Sequence, residues 1–179
     1  MNNNSAVGLA RQKVLQHFRW LDGDADTWTM LADGESLRAI VVGLAELARA
    51  ERPDVILGIE SRGFVLGAAV AVNLGIGFVP VRKDGALFPG EVIRQDTAAD
   101  YRGNKRILAT RRDLLRPGQR VVMIDDWIET GSQAVAAAQL VAACGAELGA
   151  IAVIIDEAGE TARTLLPPIH SLVPAGDLS

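Results

Sequence analysis

Four short apolar runs constrain this chain more than any other feature. "DVILGIE", "IGFVPVRK", "QRVVMID" and "AIAVIID" are each a strand's length and rich in Val and Ile, and the first and last pairs are separated by stretches with helical spacing. Uninterrupted apolar strands need cover on both faces, and strands alternating with helices form a parallel sheet. The expected fold is therefore α/β: an open, mostly parallel sheet flanked by helices. A hydrophobic fraction of 49% over 179 residues supplies the core for a single domain, 1–179.

The helices are legible between the runs. A first helical pattern covers Val7 to Phe18, and "RWLDGDADTW" after it reads as a polar loop. In "SLRAIVVGLAELARA", Leu37, Ile40, Val41, Leu44 and Leu47 fall at helical spacing, with Ser36 as the cap. "GFVLGAAVAVNLG" reads as a helix closed by Gly75, and "SQAVAAAQLVAACG" as a further helix. Asp84 to Ile107 shows little periodicity and many charges, which means either a functional lid or a hairpin with a weak signal.

Other classes of protein are disfavoured. A net charge of -4 argues against nucleic-acid binding. No apolar run reaches the about 18 residues of a membrane helix, and "MNNNSAVGLARQK" lacks the apolar centre of a signal peptide. One cysteine, Cys144 in "LVAACGAEL", precludes an internal disulfide and reads as a buried thiol in a reducing, cytoplasmic setting.

Chemistry is concentrated where the runs end, which is where open parallel sheets bind ligands. "VVMIDDWIETGSQ" places Asp125 and Asp126 side by side, then Glu129-Thr130-Gly131-Ser132-Gln133 before a helix. A Gly-containing turn at a helix N-terminus presents backbone N–H groups to an anion such as a phosphate monoester. The two acids suit vicinal sugar hydroxyls or a hydrated Mg²⁺. After the first run, Glu60-Ser61-Arg62-Gly63 offers a second anion loop, and Arg82-Lys83 ends the second run with positive charge. The bland alternatives are a helix cap and solvated strand-end charges. Together the clusters describe a ligand with a phosphate, a diol and a diphosphate, which is phosphoribosyl diphosphate.

"VVMIDDWIETGSQ" resembles the phosphoribosyl-diphosphate signature of type I phosphoribosyltransferases. "ILGIESRGFVLGAAVAVNLGIGFVPVRKDGAL", "RPGQRVVMIDD" and "LVAACGAELGAIAVII" resemble the adenine branch of that family. The resemblance runs from about Asp54 to Gly90 and from Asp113 to Ile155. It implies the type I phosphoribosyltransferase fold, with an N-terminal hood (1–35), a flexible catalytic loop (84–107), Mg²⁺ and a homodimer. It implies transfer of the 5-phosphoribosyl group to adenine or a related base in purine salvage, with release of diphosphate.

The resemblance also assigns roles by position. Asp125 and Asp126 fall on the ribose hydroxyls and, through water, on the metal. Glu129, Thr130, Gly131, Ser132 and Gln133 surround the 5-phosphate; Ser61, Arg62 and Lys83, with Arg82 beside it, serve the diphosphate. Trp127 falls where an apolar residue packs on the base. Asp100 and Tyr101 in "TAADYRG" stand nearest the Glu-Tyr of the mobile loop, with Asp100 as acid or base.

The chain departs from the family at three places. Ser132 and Gln133 replace the last two residues of Thr-Gly-Gly-Thr, and Glu129 stands where a small residue is common. The mobile loop lacks Leu-Glu-Tyr-Gly, and "LATRRD" brings basic residues that suit either diphosphate or plain surface. The hood lacks its usual Pro-containing pieces, so His17, Trp20 and Trp28 read as hood packing ahead of base contacts. Two rival readings follow: another heterocyclic acceptor, or a non-catalytic regulator that binds phosphoribosyl diphosphate.

Overall fold

Every apolar run forms a strand, and the computed structural model describes residues 5–83, 85, 88–99 and 103–178. Helix α1 (Ala6–His17) leads into a hairpin of β1 (Arg19–Leu21) and β2 (Asp24–Asp26). Helices α2 (Trp28–Ala32) and α3 (Gly34–Ala50) follow, then β3 (Val55–Ile59), α4 (Arg62–Leu74) and β4 (Gly77–Lys83). Next come β5 (Val92–Asp96), β6 (Ile107–Arg111), β7 (Arg120–Ile128) and α5 (Ser132–Ala143). The chain closes with β8 (Glu147–Asp156), α6 (Glu160–Leu165) and β9 (Ile169–Pro174).

Strands β5-β6-β4-β3-β7-β8-β9 form one seven-stranded sheet in that order. Neighbours from β4 to β9 pair in parallel, whereas β6 pairs antiparallel with β4 and β5. Alternation along β7 divides the core between two faces. Val122 and Ile124 pack with Ile40, Leu44 and Leu66 of α3 and α4. Val121 and Met123 pack with Leu140 and the alanines of α5 on the other face. Ala134, Ala136 and Ala137 are all buried there, so the Ala-rich segment lets α5 approach the sheet closely. Cys144, at the end of α5, is a buried free thiol, as expected. Among the described residues, no helix is long and apolar enough to cross a membrane.

Three local expectations are corrected, and the open choice at 84–107 falls to the hairpin. Helix α3 is capped by Asp33, whose carboxylate accepts the Ser36 N–H at 2.8 Å. Ser36 lies one turn inside, fully buried, with its Oγ unpartnered. An ionised cap on the helix N-terminus prevails over a hydroxyl further in. The "RWLDGDADTW" loop is a hairpin, turned by Asp22 and Gly23 at φ 52° and 85°. Asp-Gly with both residues at positive φ is the favoured two-residue hairpin turn. The charged stretch before Ile107 holds β5, whose partner β6 opens at that residue. Its hairpin is closed at the base by Thr97, whose buried Oγ1 accepts the Arg106 N–H at 2.9 Å. The last correction is β9, which adds a parallel strand beyond β8 where no element was expected. Only Leu172 and Val173 of "IHSLVP" are buried, so its apolar signal is short.

Candidate active site

The carboxyl ends of β3, β4, β7 and β8 meet the β1–β2 hairpin around one cleft of about 680 Å³. Glycines let β3 and α4 close on each other. A Cβ on Gly58 of β3 would lie 2.1 Å from the carbonyl oxygen of Gly63 in α4. One on Gly63 would lie 3.1 Å from the Ile124 oxygen and 3.3 Å from Oδ1 of Asp125. Bare backbone at both positions brings the Glu60-Ser61-Arg62 turn directly under the acidic pair. The Glu60–Ser61 peptide in that turn is cis.

The two acids are held in different ways. Asp126 is 4% exposed, and its Oδ2 accepts the Thr27 hydroxyl at 2.8 Å and Arg62 Nε at 2.5 Å. Asp125 accepts the Asp126 N–H on Oδ1 at 2.9 Å. Burial, then the neighbouring Asp126 charge, pushes the Asp125 carboxyl well above the usual carboxylate range, with Lys83 opposing. Burial in turn lowers the Lys83 ammonium, Asp125 holds it up, and Arg106 and Arg62 lower it further. Lys83 and Arg62 thus face the acids as the cations of the cleft. The Arg62 guanidinium also sits 5.7 Å from the Trp28 ring centroid.

Arg82 lies elsewhere. Successive residues of a strand point to opposite faces, so only one of Arg82 and Lys83 can face the cleft. Arg82 contacts both Glu60 carboxylate oxygens at 3.4 Å and lies 6.0 Å from the Phe88 ring. Glu60 also accepts the Lys83 N–H at 3.1 Å, and Arg82 first among its partners holds its carboxyl below the usual range. Arg82 therefore braces the turn that carries Ser61 and Arg62. The basic residues of "LATRRD" are also engaged away from the cleft: Arg111 pairs with Asp113, and Arg112 with Glu91 and the carbonyl of Ala143.

Thr130-Gly131-Ser132 wraps the start of α5. Gly131 has φ 72°, and a Cβ there would lie 2.9 Å from the Ala162 Cβ, so glycine is required on both grounds. Ser132 is the first helical residue and has no positive φ, so that position tolerates a side chain. The Thr130 hydroxyl donates to Ser132 Oγ at 3.2 Å and accepts the Ser132 N–H at 3.3 Å. Glu129 and Gln133 line the same end.

The opposite end is aromatic. The Trp127 ring lies 6.0 Å from Trp20 and 6.1 Å from Phe18, and its indole N–H donates to Oε2 of Glu157 at 2.9 Å. Trp20 lines the cleft, while His17 and Trp28 do not. Asp100 and Tyr101 fall outside the described residues. Sequence reasoning overlooked Thr27, Asp24, Ala25 and Glu157 as site residues. Glu157 had a signal, since it follows the fourth apolar run together with Asp156. Asp156 is taken up by Ala158 N–H at 2.9 Å and by Arg163 at 2.7 Å, which leaves Glu157 to the cleft. Thr27 had none, being an ordinary polar residue at a helix start.

Among the described residues, no group of three or more His, Cys, Asp or Glu side chains is placed to hold a metal ion. The adjacent Asp125 and Asp126 offer hard oxygen donors suited to a hydrated cation that takes its remaining ligands from substrate.

Residues 27–168 match the model of a phosphoribosyl transferase domain. An adenine phosphoribosyltransferase of Synechococcus sp. (strain JA-3-3Ab) is 47% identical over 144 residues, 80% of this chain and 81% of that protein. The crystal structure of adenine phosphoribosyltransferase from Rhodothermus marinus superposes with a TM-score of 0.80 at 31% identity, covering 93% of this chain and 98% of that one. The Trypanosoma brucei enzyme in complex with AMP, pyrophosphate and ribose-5-phosphate superposes with a TM-score of 0.82 at 26% identity, covering 95% of this chain and 81% of that one.

Proposed function

This chain belongs to the phosphoribosyltransferase family, and on that premise we propose that it is a purine salvage enzyme transferring the phosphoribosyl group of phosphoribosyl diphosphate to adenine. One observation carries the reading: a single cleft joins the acidic pair, an anion turn at a helix N-terminus, two cations and an aromatic end. Each part matches one part of that substrate pair. The reading takes 1–179 as one phosphoribosyltransferase domain.

The roles follow from charge. Backbone N–H groups of Thr130 to Gln133 and the N-terminus of α5 take the 5-phosphate. Asp125 and Asp126 accept from the ribose 2- and 3-hydroxyls. Arg62, Lys83 and the Ser61 turn take the diphosphate, which competes with Asp126 for the Arg62 guanidinium. Trp127 and Trp20 pack on the base.

A ring nitrogen of the base then forms its bond to C1 while the bond from C1 to the diphosphate oxygen breaks, and the electron pair leaves on diphosphate. Positive charge builds on the sugar in the transition state, close to the two carboxylates, and negative charge builds beside Arg62 and Lys83. The proton lost by the base goes to Asp100 or to water, and closure of the 84–107 loop with Tyr101 excludes water from C1. Mg²⁺, which Asp125 and Asp126 would hold through water, supplies charge neutralisation for the diphosphate. A homodimer accords with the family resemblance, and a cytoplasmic setting with the buried free thiol of Cys144.

Diphosphate release from phosphoribosyl diphosphate and Mg²⁺, measured against a panel of purines and pyrimidines, tests the assignment. Release with adenine supports it. Release only with another base, or binding without release, overturns it.

A further inference from the structure

The aromatic end of the cleft carries a carboxylate that ribosyl transfer itself does not call for. The backbone N–H of Glu157 donates to the Ile128 oxygen at 2.8 Å, which ties this residue to the end of β7. Its Oε2 accepts the indole N–H of Trp127 at 2.9 Å. That bond and the Trp20 edge, 6.0 Å away, fix the indole orientation and hold the carboxylate at its rim. Oε1 takes no hydrogen bond from any described residue, and Glu157 lines the cleft as an exposed side chain. Asp24 of the hairpin lines the same cleft.

An ionised carboxylate only accepts hydrogen bonds. It favours a heterocycle edge bearing N–H and disfavours one bearing a carbonyl oxygen, because two acceptors face to face are both left unsatisfied. We infer that Glu157 is a specificity-determining residue whose Oε1 takes an exocyclic amino group of the acceptor base, so that amino-substituted purines are selected over their oxo counterparts. The inference rests on the phosphoribosyltransferase reading and adds a residue and a rule to it.

The test uses the full chain with phosphoribosyl diphosphate and Mg²⁺, comparing adenine with hypoxanthine. The wild type should prefer adenine in kcat/KM by at least about a hundredfold. Glu157→Gln keeps an acceptor for Trp127 but can turn an amide N–H toward the base, and should cut that preference at least about tenfold. Glu157→Leu should raise the KM for adenine about tenfold while the KM for phosphoribosyl diphosphate stays within about twofold. Quenching of tryptophan fluorescence by each base gives the same ratio as a binding readout, independent of turnover. An unchanged adenine-to-hypoxanthine ratio in Glu157→Gln by both readouts, or no preference in the wild type, overturns the inference. If no base is turned over, the phosphoribosyltransferase reading fails, and the quenching ratio alone still decides the role of Glu157.

Discussion

The guanidinium of Arg62 and the carboxylate of Asp126 are joined at 2.5 Å, and the Thr27 hydroxyl shares the same oxygen at 2.8 Å. Three segments meet at that atom: the start of α4, the acidic pair of β7, and the start of α2 after the N-terminal hairpin. Asp126 is thus buried with both donors provided by segments distant from it in sequence.

Thr27→Val removes one of those donors without changing shape. Thr27 is 1% exposed and Asp126 4%, so no water replaces the lost bond. The variant should be destabilised by about 1–3 kcal/mol, read as a lower urea midpoint at unchanged slope. The KM for phosphoribosyl diphosphate should rise with it. A midpoint identical to the wild type would remove Thr27 from the account.

Asp125→Asn separates stability from activity. Burial and the Asp126 charge hold the Asp125 carboxyl above its unperturbed value of 3.8. A folded value above the unfolded one means that the native state favours the protonated acid. The Asp125 contribution to stability is therefore fully present below the unfolded value and is lost as pH rises through the folded value. Asparagine does not titrate and still offers Oδ1 to the Asp126 N–H. The variant should melt higher than the wild type at about pH 8, the difference shrinking toward about pH 4. Turnover should fall by about a hundredfold or more. A difference in Tm that is independent of pH would contradict the assigned shift.

Gly58→Ala tests the close approach under the site. The added Cβ would meet the Gly63 carbonyl oxygen at 2.1 Å, and backbone on both sides has little room to yield. A loss of at least about 2–3 kcal/mol is expected, together with weaker phosphoribosyl diphosphate binding in whatever fraction stays folded. Wild-type stability would mean that β3 and α4 are not packed this tightly.

Strand runs and strand-end clusters were readable because each is local: apolar runs fix the sheet, and "DDWIETGSQ" and "ESRG" carry their chemistry within a few residues. What resisted reading depends on tertiary placement. The choice between Arg82 and Lys83 required the facing of β4, which two adjacent cations leave open. The Trp127–Glu157 bond joins residues 30 apart in sequence, and Thr27 reaches Asp126 across 99. The β1–β2 hairpin was marked by Asp22-Gly23, but strands of three residues are too short to show alternation.

The central claim is that the β7 acids and the anion loops around them perform phosphoribosyl transfer to adenine. The most direct measurement is AMP formation from adenine, phosphoribosyl diphosphate and Mg²⁺ by the wild type and by a chain carrying Asp125→Asn and Asp126→Asn. The account predicts AMP and diphosphate in equal amounts from the wild type, and a loss of at least about a thousandfold in the double variant with its fold intact by circular dichroism. No AMP from the wild type, or undiminished AMP from the double variant, would contradict it.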